Sequence, residues 1–290
     1  MGNVDVKKII IAVVLILILG IGIFFAVKAI TSSGKSYSVE TIKDSEYKYF
    51  LVYSNEKYGV LNEKGEMIIE NIYKEIIIPN PTKAVFICKK ENNETEVLND
   101  KKEKIFTEFK KVEAIQIEET NSHLPYEKSV LKYEESGKYG LIDFEGKIVA
   151  KPVYQDLTSV KYKEGEILAK KDSRYGVISS KGKVLIPFEY EEIIGDRYYN
   201  NGYQKSGYIV KTETDDGYKY GYINYKWKKM LDMEYTGINR LTDIEGDDIY
   251  LAVAKNGQYG LIKNKKQEID FGYQSITYDK DSNTLIVRQK

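Results

Sequence analysis

The chain repeats itself, and that limits its fold more than any other feature. Tyr-Gly pairs stand at Tyr58-Gly59, Tyr139-Gly140, Tyr175-Gly176, Tyr220-Gly221 and Tyr259-Gly260. The gap between the first two is double-sized, and a worn copy fills it: "ETEVLNDKKEKIFTEFKKV", with Thr95-Glu96 in the Tyr-Gly place. The six copies lie 36 to 45 residues apart. A second register confirms them. Thirteen or fourteen residues after each Gly position comes an aromatic: Tyr73, Phe109, Tyr154, Tyr190, Tyr235 and Tyr273. Three residues later comes an aliphatic: Ile76, Val112, Leu157, Ile193, Ile238 and Ile276. Self-similarity at this period marks a repeat array, in which each unit buries its apolar face against its neighbours.

Local pattern gives the contents of a unit. After Tyr-Gly come two apolar residues and a polar one ("VLN", "LID", "VIS", "YIN", "LIK"), enough for one strand. "NEKG", "DFEG" and "SSKG" then predict turns, with Gly65, Gly146 and Gly182 free to adopt the left-handed conformation. A second strand follows ("EMIIE", "KIVAK", "KVLIP"), making a hairpin. The Gly after each Tyr predicts a bulge or a close backbone approach, since Gly weakens a plain strand. A further strand precedes each Tyr-Gly ("YFLVY", "AVFIC", "SVLKY", "EILAK", "GYIVK", "YLAVA"), and a seventh, "TLIVRQ", ends the chain. The expected fold is all-β: six antiparallel units of three to four strands each, plus a terminal strand. The motif tyrosines Tyr139, Tyr175 and Tyr220 are expected to be buried at unit junctions, since a lone hairpin is barely stable in water.

The motif resembles the bacterial WG repeat (also called KWG), whose units read roughly aromatic-Gly-Φ-Φ-Asp-x-x-Gly-x-Φ-Φ-x-x-x-Tyr-x-x-Φ, with Φ aliphatic. "KYGLIDFEGKIVAKPVYQDL" follows it residue for residue, except that Tyr139 stands where the family usually has Trp. Every intact copy makes this change, and the only Trp, Trp227, falls in a turn. The resemblance covers Lys48 to Lys290. It implies an architecture and carries over no catalytic residues. Repeats of this size close into a β-propeller or stack as an open β-solenoid. Closure removes exposed strand edges and favours the propeller. In a strict six-membered ring, however, the first and seventh leading strands would compete for one place, which suits the open stack.

The start of the chain is different. Ile9 to Val27 is nineteen residues without a charge or an amide. As a helix it would span about 28 Å, close to the hydrocarbon thickness of a bilayer. The expectation is a short cytoplasmic tail (1–8), a transmembrane helix (9–30), a linker (31–46) and an extracytoplasmic repeat domain (47–290). The alternative is secretion after signal cleavage around Val27-Lys28-Ala29. Against it, the apolar stretch exceeds the usual length of a signal's hydrophobic region.

Composition excludes several functions. Forty-four basic and forty-four acidic residues cancel, so no basic stripe points to nucleic acid. One cysteine, Cys88, excludes an internal disulfide and a cysteine-built zinc site, and one histidine, His123, removes the usual general base. Asp215-Asp216 and the acidic run Asp243, Glu245, Asp247 and Asp248 lack calcium-loop spacing and read as solvated turns. No cofactor is indicated.

Tyrosine is the informative excess. Most of the 26 fall in the repeat registers or on strand faces. "DRYYNNGYQKSGY" does not, because it lies in the longest insertion. Tyr198, Tyr199, Asn200, Asn201 and Tyr203 are the candidate rim for stacking on sugar or contacting protein; the plainer reading is an elaborated hairpin. The expected function is non-catalytic: a membrane-anchored binding or scaffolding protein of the bacterial cell envelope, contacting the bilayer through residues 9–30 and an unidentified protein or cell-wall glycan through the repeats. The alternative is a glycan-acting enzyme using carboxylates on a propeller-like scaffold.

Overall fold

The computed structural model describes residues 47–117, 126–160, 163–200, 203–241 and 248–289, together with short pieces of backbone nearer the start. Those pieces pair Leu17–Ile18 with Ile21–Gly22 and Lys28–Ser32 with Gly34–Ser38. They give no support to a helix over 9–30, most of which lies outside the described residues. No helix among the described residues is long and apolar enough to cross a membrane. The linker expected over 31–46 is in part the second of these hairpins.

From Tyr49 on, the described residues form antiparallel sheets joined by turns. The first sheet has three strands, Tyr49–Ser54, Lys57–Asn62 and Met67–Tyr73. The second also has three, Glu75–Ile77, Phe86–Lys89 and Thr95–Leu98. Then come four sheets of four strands, each in simple up-and-down order. They begin at Lys111, Asp156, Glu192 and Gly237 and end at Tyr154, Tyr190, Tyr235 and Tyr273. A two-stranded sheet, Ser275–Asp279 with Thr284–Arg288, closes the series. Units do have a fourth strand, and it is the first of every sheet after the first. It carries the aliphatic of the second register (Ile76, Val112, Leu157, Ile193, Ile238, Ile276), and the crossover between sheets falls between the aromatic and that aliphatic. The first and seventh leading strands, Tyr49–Ser54 and Thr284–Arg288, belong to separate sheets.

The two sequence registers turn out to be one structural contact. Tyr58 pairs across the sheet with Tyr73, Tyr175 with Tyr190, Tyr220 with Tyr235 and Tyr259 with Tyr273. Two residues further along, Val60 faces Ile69, Val177 faces Ile186, Tyr222 faces Leu231 and Leu261 faces Ile269. Two residues on one strand thus oppose four on the other, which is a bulge at the motif glycine. The bulge presses a backbone carbonyl into the space that a side chain would need. A Cβ on Gly59 would stand 2.5 Å from the Ile69 oxygen, and one on Gly176 2.8 Å from that of Ile186.

The turns have an equally local cause. The polar residue after the apolar pair accepts two backbone N–H bonds, from the residues two and four further on. Asn62, Asn99, Asp143, Ser179 and Asn224 all do so, at 2.8–3.2 Å. Gly65, Gly146 and Gly182 hold φ of 77°, 84° and 77° in these turns, as their type predicts.

Within each of two compact units, apolar side chains on both faces join successive sheets. Val60, Ile69 and Tyr73 of the first sheet pack with Ile76, Phe86, Cys88 and Leu98 of the second. Val85, Ile87 and Val97 pack from the second sheet's other face on Val112, Leu131, Tyr133 and Ile142 of the third. The fourth to seventh sheets repeat the scheme. The chain divides into two compact units, one holding the sheets up to Pro152 and the other those from Val153 on.

One expectation needs correction. The motif tyrosines Tyr58, Tyr139, Tyr175, Tyr220 and Tyr259 are only half-buried. Lys132 covers Tyr139 and Lys170 covers Tyr175, with ammonium-to-ring distances of 5.0 and 5.2 Å. Four members of the second register are buried instead: Tyr73, Tyr154, Tyr190 and Tyr235 are all under 9 % exposed, while Phe109 and Tyr273 are half-buried. The four buried ones sit on the closing strand, where the next sheet covers them. Their partners across the bulge keep one side toward solvent and a lysine stem.

Candidate binding site

The tyrosine-rich insertion is a long β-hairpin. Glu192–Asn200 pairs with Tyr203–Thr214 through nine consecutive positions, from Glu192↔Lys211 to Asn200↔Tyr203. The next strand, Gly217–Ile223, follows only as far as Tyr208↔Ile223. Beyond that point the hairpin continues as a two-stranded ribbon, with Tyr198 opposite Lys205 and Tyr199 opposite Gln204. Four of the five candidate residues, Tyr198, Tyr199, Asn200 and Tyr203, therefore lie on ribbon backbone; Asn201 lies outside the described residues.

An isolated two-stranded ribbon is marginal in water, so its base matters. Asp196 is buried there, and the Tyr222 hydroxyl donates to its Oδ2 at 2.6 Å. The Arg240 guanidinium, also buried, places Nε 4.0 Å from the same oxygen. Opposite Asp196 in the ladder is Gly207, where any Cβ would collide with the Tyr222 hydroxyl. A buried carboxylate with a hydrogen bond and a countercharge is strongly disfavoured from losing either partner. Sequence reading missed this anchor because Asp196, Tyr222 and Arg240 come from three different strands.

The remaining polar groups have local roles. Glu166 is 8 % exposed, and burial lifts its carboxyl above the ordinary range, against the lowering pull of Lys163 and Trp227. Lys163 Nζ stands 3.2 Å away, and the Trp227 indole N–H donates at 3.1 Å. Trp227 occupies the left-handed turn position that Gly holds in other copies, with φ of 56°. Its bond to the preceding sheet helps hold it there. Glu96 differs again. Burial alone would raise its carboxyl, but bonds from Lys104, Tyr73 and Lys90 outweigh that and bring it down to about 2. The Tyr73 hydroxyl donates to Glu96 Oε1 at 2.8 Å.

The other candidates are dispersed. Cys88 is buried, and burial first, then the charge of Glu96, pushes its thiol up to about 12. Asp215 and Asp216 form the exposed tip between Thr214 and Gly217. Asp248 is taken up by Lys263 at 2.7 Å and by Asn264, bonds that hold its carboxyl below the usual range. His123, Asp243, Glu245 and Asp247 lie outside the described residues. Among the described residues no cluster of three or more His, Cys, Asp or Glu side chains is placed to hold a metal ion.

Comparison with known proteins gives the following. Residues 139–174 and 175–203 match the family described as WG containing repeat. No curated protein matches the chain. Among solved structures, it is similar to KlHsv2 with loop 6CD replaced by a Gly-Ser linker, at 10% identity over 92% of this chain and 91% of that one, with a TM-score of 0.31. It is also similar to PorZ, described as an essential bacterial surface component of the type-IX secretion system of Porphyromonas gingivalis. There the identity is 12% over 83% of this chain and 30% of that one, with a TM-score of 0.22. Both scores are under 0.5, and neither likeness bears on the fold.

Proposed function

We propose, from the premise that residues 139–203 are WG repeats with tyrosine in the motif tryptophan's place, that this protein binds without turnover at the bacterial cell envelope. Its partner is a protein or a cell-wall glycan, and its first contact is the ribbon at Tyr198, Tyr199, Asn200, Asn201 and Tyr203. The observation that carries the reading is the ribbon itself: a paired strand extension with a buried base, rich in tyrosine and asparagine. Aromatic side chains on a held framework supply contact area at low entropic cost. The charge-free span from Ile9 to Val27 supports an anchor in the bilayer, with the repeats outside. Propeller-like closure of the sheets is favoured by the removal of strand edges. An open array is favoured by the presence of both terminal leading strands.

The test uses immobilised full-length chain and purified envelope fractions. Retention of envelope glycan or of a defined envelope protein is expected, and Tyr198→Ala with Tyr199→Ala should weaken it while leaving melting unchanged. Equal retention by that variant would remove the ribbon from the account. Location is read separately. In an Asp215→Cys variant, a membrane-impermeant maleimide should label the exposed tip in intact cells, because the native thiol is buried. Labelling only after lysis would place the repeats inside.

A second reading rests on Glu166. A buried carboxyl with a raised pKa suits a general acid in glycan cleavage. Hydrolysis of purified cell-wall glycan, lost in Glu166→Gln, would establish the enzyme and displace the binding proposal.

A further inference from the structure

The second repeat lacks its closing strand. In the intact copies a carbonyl oxygen of that strand lies 2.5–2.9 Å from where a Cβ on the motif glycine would stand. In the second repeat Glu96 holds the glycine's position: it pairs with Cys88 just as Gly59 pairs with Val52 and Gly176 with Ala169. A side chain there blocks the bulge by the same sterics. The chain leaving the Asn99 turn accordingly makes one bridge, Leu98↔Lys104, and one bond, from the Ile105 N–H to the Val97 oxygen at 2.9 Å. Phe106 then takes a left-handed φ of 59°, and its oxygen accepts the Phe109 N–H at 3.2 Å. That tight turn carries the chain off the edge. Phe109 packs on Tyr133 of the next sheet, with ring centroids 4.6 Å apart.

The motif strand Thr95–Leu98 is left as the edge of its sheet. Thr95 faces Lys89 across the ladder, and the Lys89 carbonyl accepts from Lys74 on its other side at 2.9 Å. Thr95 and Val97 therefore turn their N–H and C=O groups outward. Ile105 takes the Val97 oxygen. The Thr95 N–H, the Thr95 oxygen and the Val97 N–H have no hydrogen-bond partner among the described residues. A cavity of about 390 Å³ lies against them, bounded on its far side by Ile105, Phe106, Phe109 and Val112. The intact copies show what belongs there. The motif tyrosine holds Thr95's place, and its cross-strand partner is the aromatic of the closing strand, as in Tyr58↔Tyr73 and Tyr175↔Tyr190. Closing strands bury that aromatic and the aliphatic four residues before it: Ile69 with Tyr73, Ile186 with Tyr190, Leu231 with Tyr235. Their own outer edges are guarded. Three residues before the aromatic, each intact copy exposes a charge or a proline: Glu70, Lys151, Pro187, Asp232 and Asp270. Along Thr95–Val97 the one charge is Glu96, and it is already bound by Tyr73 at 2.8 Å, Lys90 at 3.1 Å and Lys104 at 2.9 Å.

We propose that the second sheet takes its closing strand from a partner protein: an extended segment adds along Thr95–Val97, with an aromatic residue opposite Thr95. Main-chain bonds to the three outward groups supply the attachment, and the aromatic ring, entering the cavity against Phe109 and Val112, supplies the selectivity. Ile105 keeps its bond to Val97, so nothing in the chain is displaced. The site is separate from the ribbon and stands whether or not the ribbon binds.

The test is amide exchange in the isotope-labelled full chain, with and without a capped peptide copying Leu231–Tyr235, "LDMEY". In the free chain the Glu96 and Leu98 amides, which pair inward with Cys88 and Phe86, are expected to exchange slowly, and the Thr95 and Val97 amides faster. The peptide should slow Thr95 and Val97 saturably. A copy N-methylated at its tyrosine, which loses the donor to the Thr95 oxygen, and a copy with alanine in the tyrosine's place should each bind about tenfold more weakly. Thr95→Pro removes the outward N–H at a position where an edge strand tolerates proline, and should weaken the peptide by about two- to tenfold while Glu96 and Leu98 stay protected. No slowing at Thr95 and Val97 under saturating peptide, slowing at the edges of other sheets instead, or equal binding by the N-methylated copy would overturn the proposal. The N-methylated copy decides the matter on the unaltered chain even where Thr95→Pro fails to fold.

Discussion

Adding one methyl group to Gly59 should damage the first sheet more than most truncations at its surface. The new Cβ would stand 2.5 Å from the Ile69 oxygen and 3.1 Å from both Asn71 N and the Glu70 carbonyl carbon, all backbone atoms. A carbon and a carbonyl oxygen settle at about 3.3–3.6 Å, so the closing strand must retreat by roughly 1 Å. Overpacking of this kind costs about 1–3 kcal/mol. The retreat also pulls on the Asn71 amide, which donates to the Val52 and Lys57 carbonyls at 3.1 and 3.2 Å. Losing either bond would cost about 1 kcal/mol more. Against this, alanine restricts the unfolded chain and returns about 0.4–1 kcal/mol. The net expectation is a loss of roughly 1–4 kcal/mol in urea denaturation of the full chain. Gly237→Ala is the control, since its nearest neighbour would be the Ala254 Cβ at 3.7 Å, an ordinary contact. It should be neutral or stabilising by up to about 1 kcal/mol. A Gly59→Ala protein as stable as wild type would refute the bulge as the reason for the glycine.

Three further outcomes follow from the same geometry. Tyr190→Ala should cost about 3–5 kcal/mol as a buried aromatic truncation, and Tyr175→Ala, half-exposed under Lys170, clearly less; the reverse order in thermal melts would contradict the burial pattern. Glu96 titrates from an ordinary 4.5 down to about 2 in the fold, so its stabilisation is full above pH 4.5 and fades as pH falls toward 2. The stability gap between wild type and Glu96→Gln should narrow over that window, and a gap constant from pH 7 to pH 3 would count against the cluster. Cys88 should resist a thiol reagent at pH 8 until denaturant is added, because the thiol is buried and its pKa is pushed up to about 12; rapid native reaction would show the second sheet to be open.

What could be read in advance was whatever the backbone dictates within one hairpin. Gly65, Gly146 and Gly182 announce their turns, and the polar residue that caps each turn sits two and four residues from its donors. The order of strands followed from the same spacing. The division of burial between the two tyrosine registers did not, because it depends on which strand the next sheet covers. Tyr175 and Tyr190 look alike in sequence and differ only in what stacks against them. The Asp196–Tyr222–Arg240 anchor and the Glu166–Trp227 bond were hidden for the same reason, since each joins positions tens of residues apart. The worn copy was visible as a lapse in the motif. That Glu96 in the glycine's place would cost the sheet its closing strand needed the carbonyl contact at Gly59 and Gly176 to be seen first.

The central claim is that the two registers of the repeat are one cross-strand contact, and a double-mutant cycle on Tyr220 and Tyr235 tests it directly. Directly opposed aromatics on a sheet contribute roughly 0.2–1 kcal/mol to each other, whereas distant sites add within about 0.3–0.5 kcal/mol. Stabilities of the full chain with Tyr220→Phe, Tyr235→Leu and both should therefore depart from additivity by up to about 1 kcal/mol. The same cycle on Tyr58→Phe and Tyr235→Leu, from different sheets, should be additive. Strict additivity for Tyr220 and Tyr235, or equal coupling in both cycles, would contradict the pairing on which the account stands.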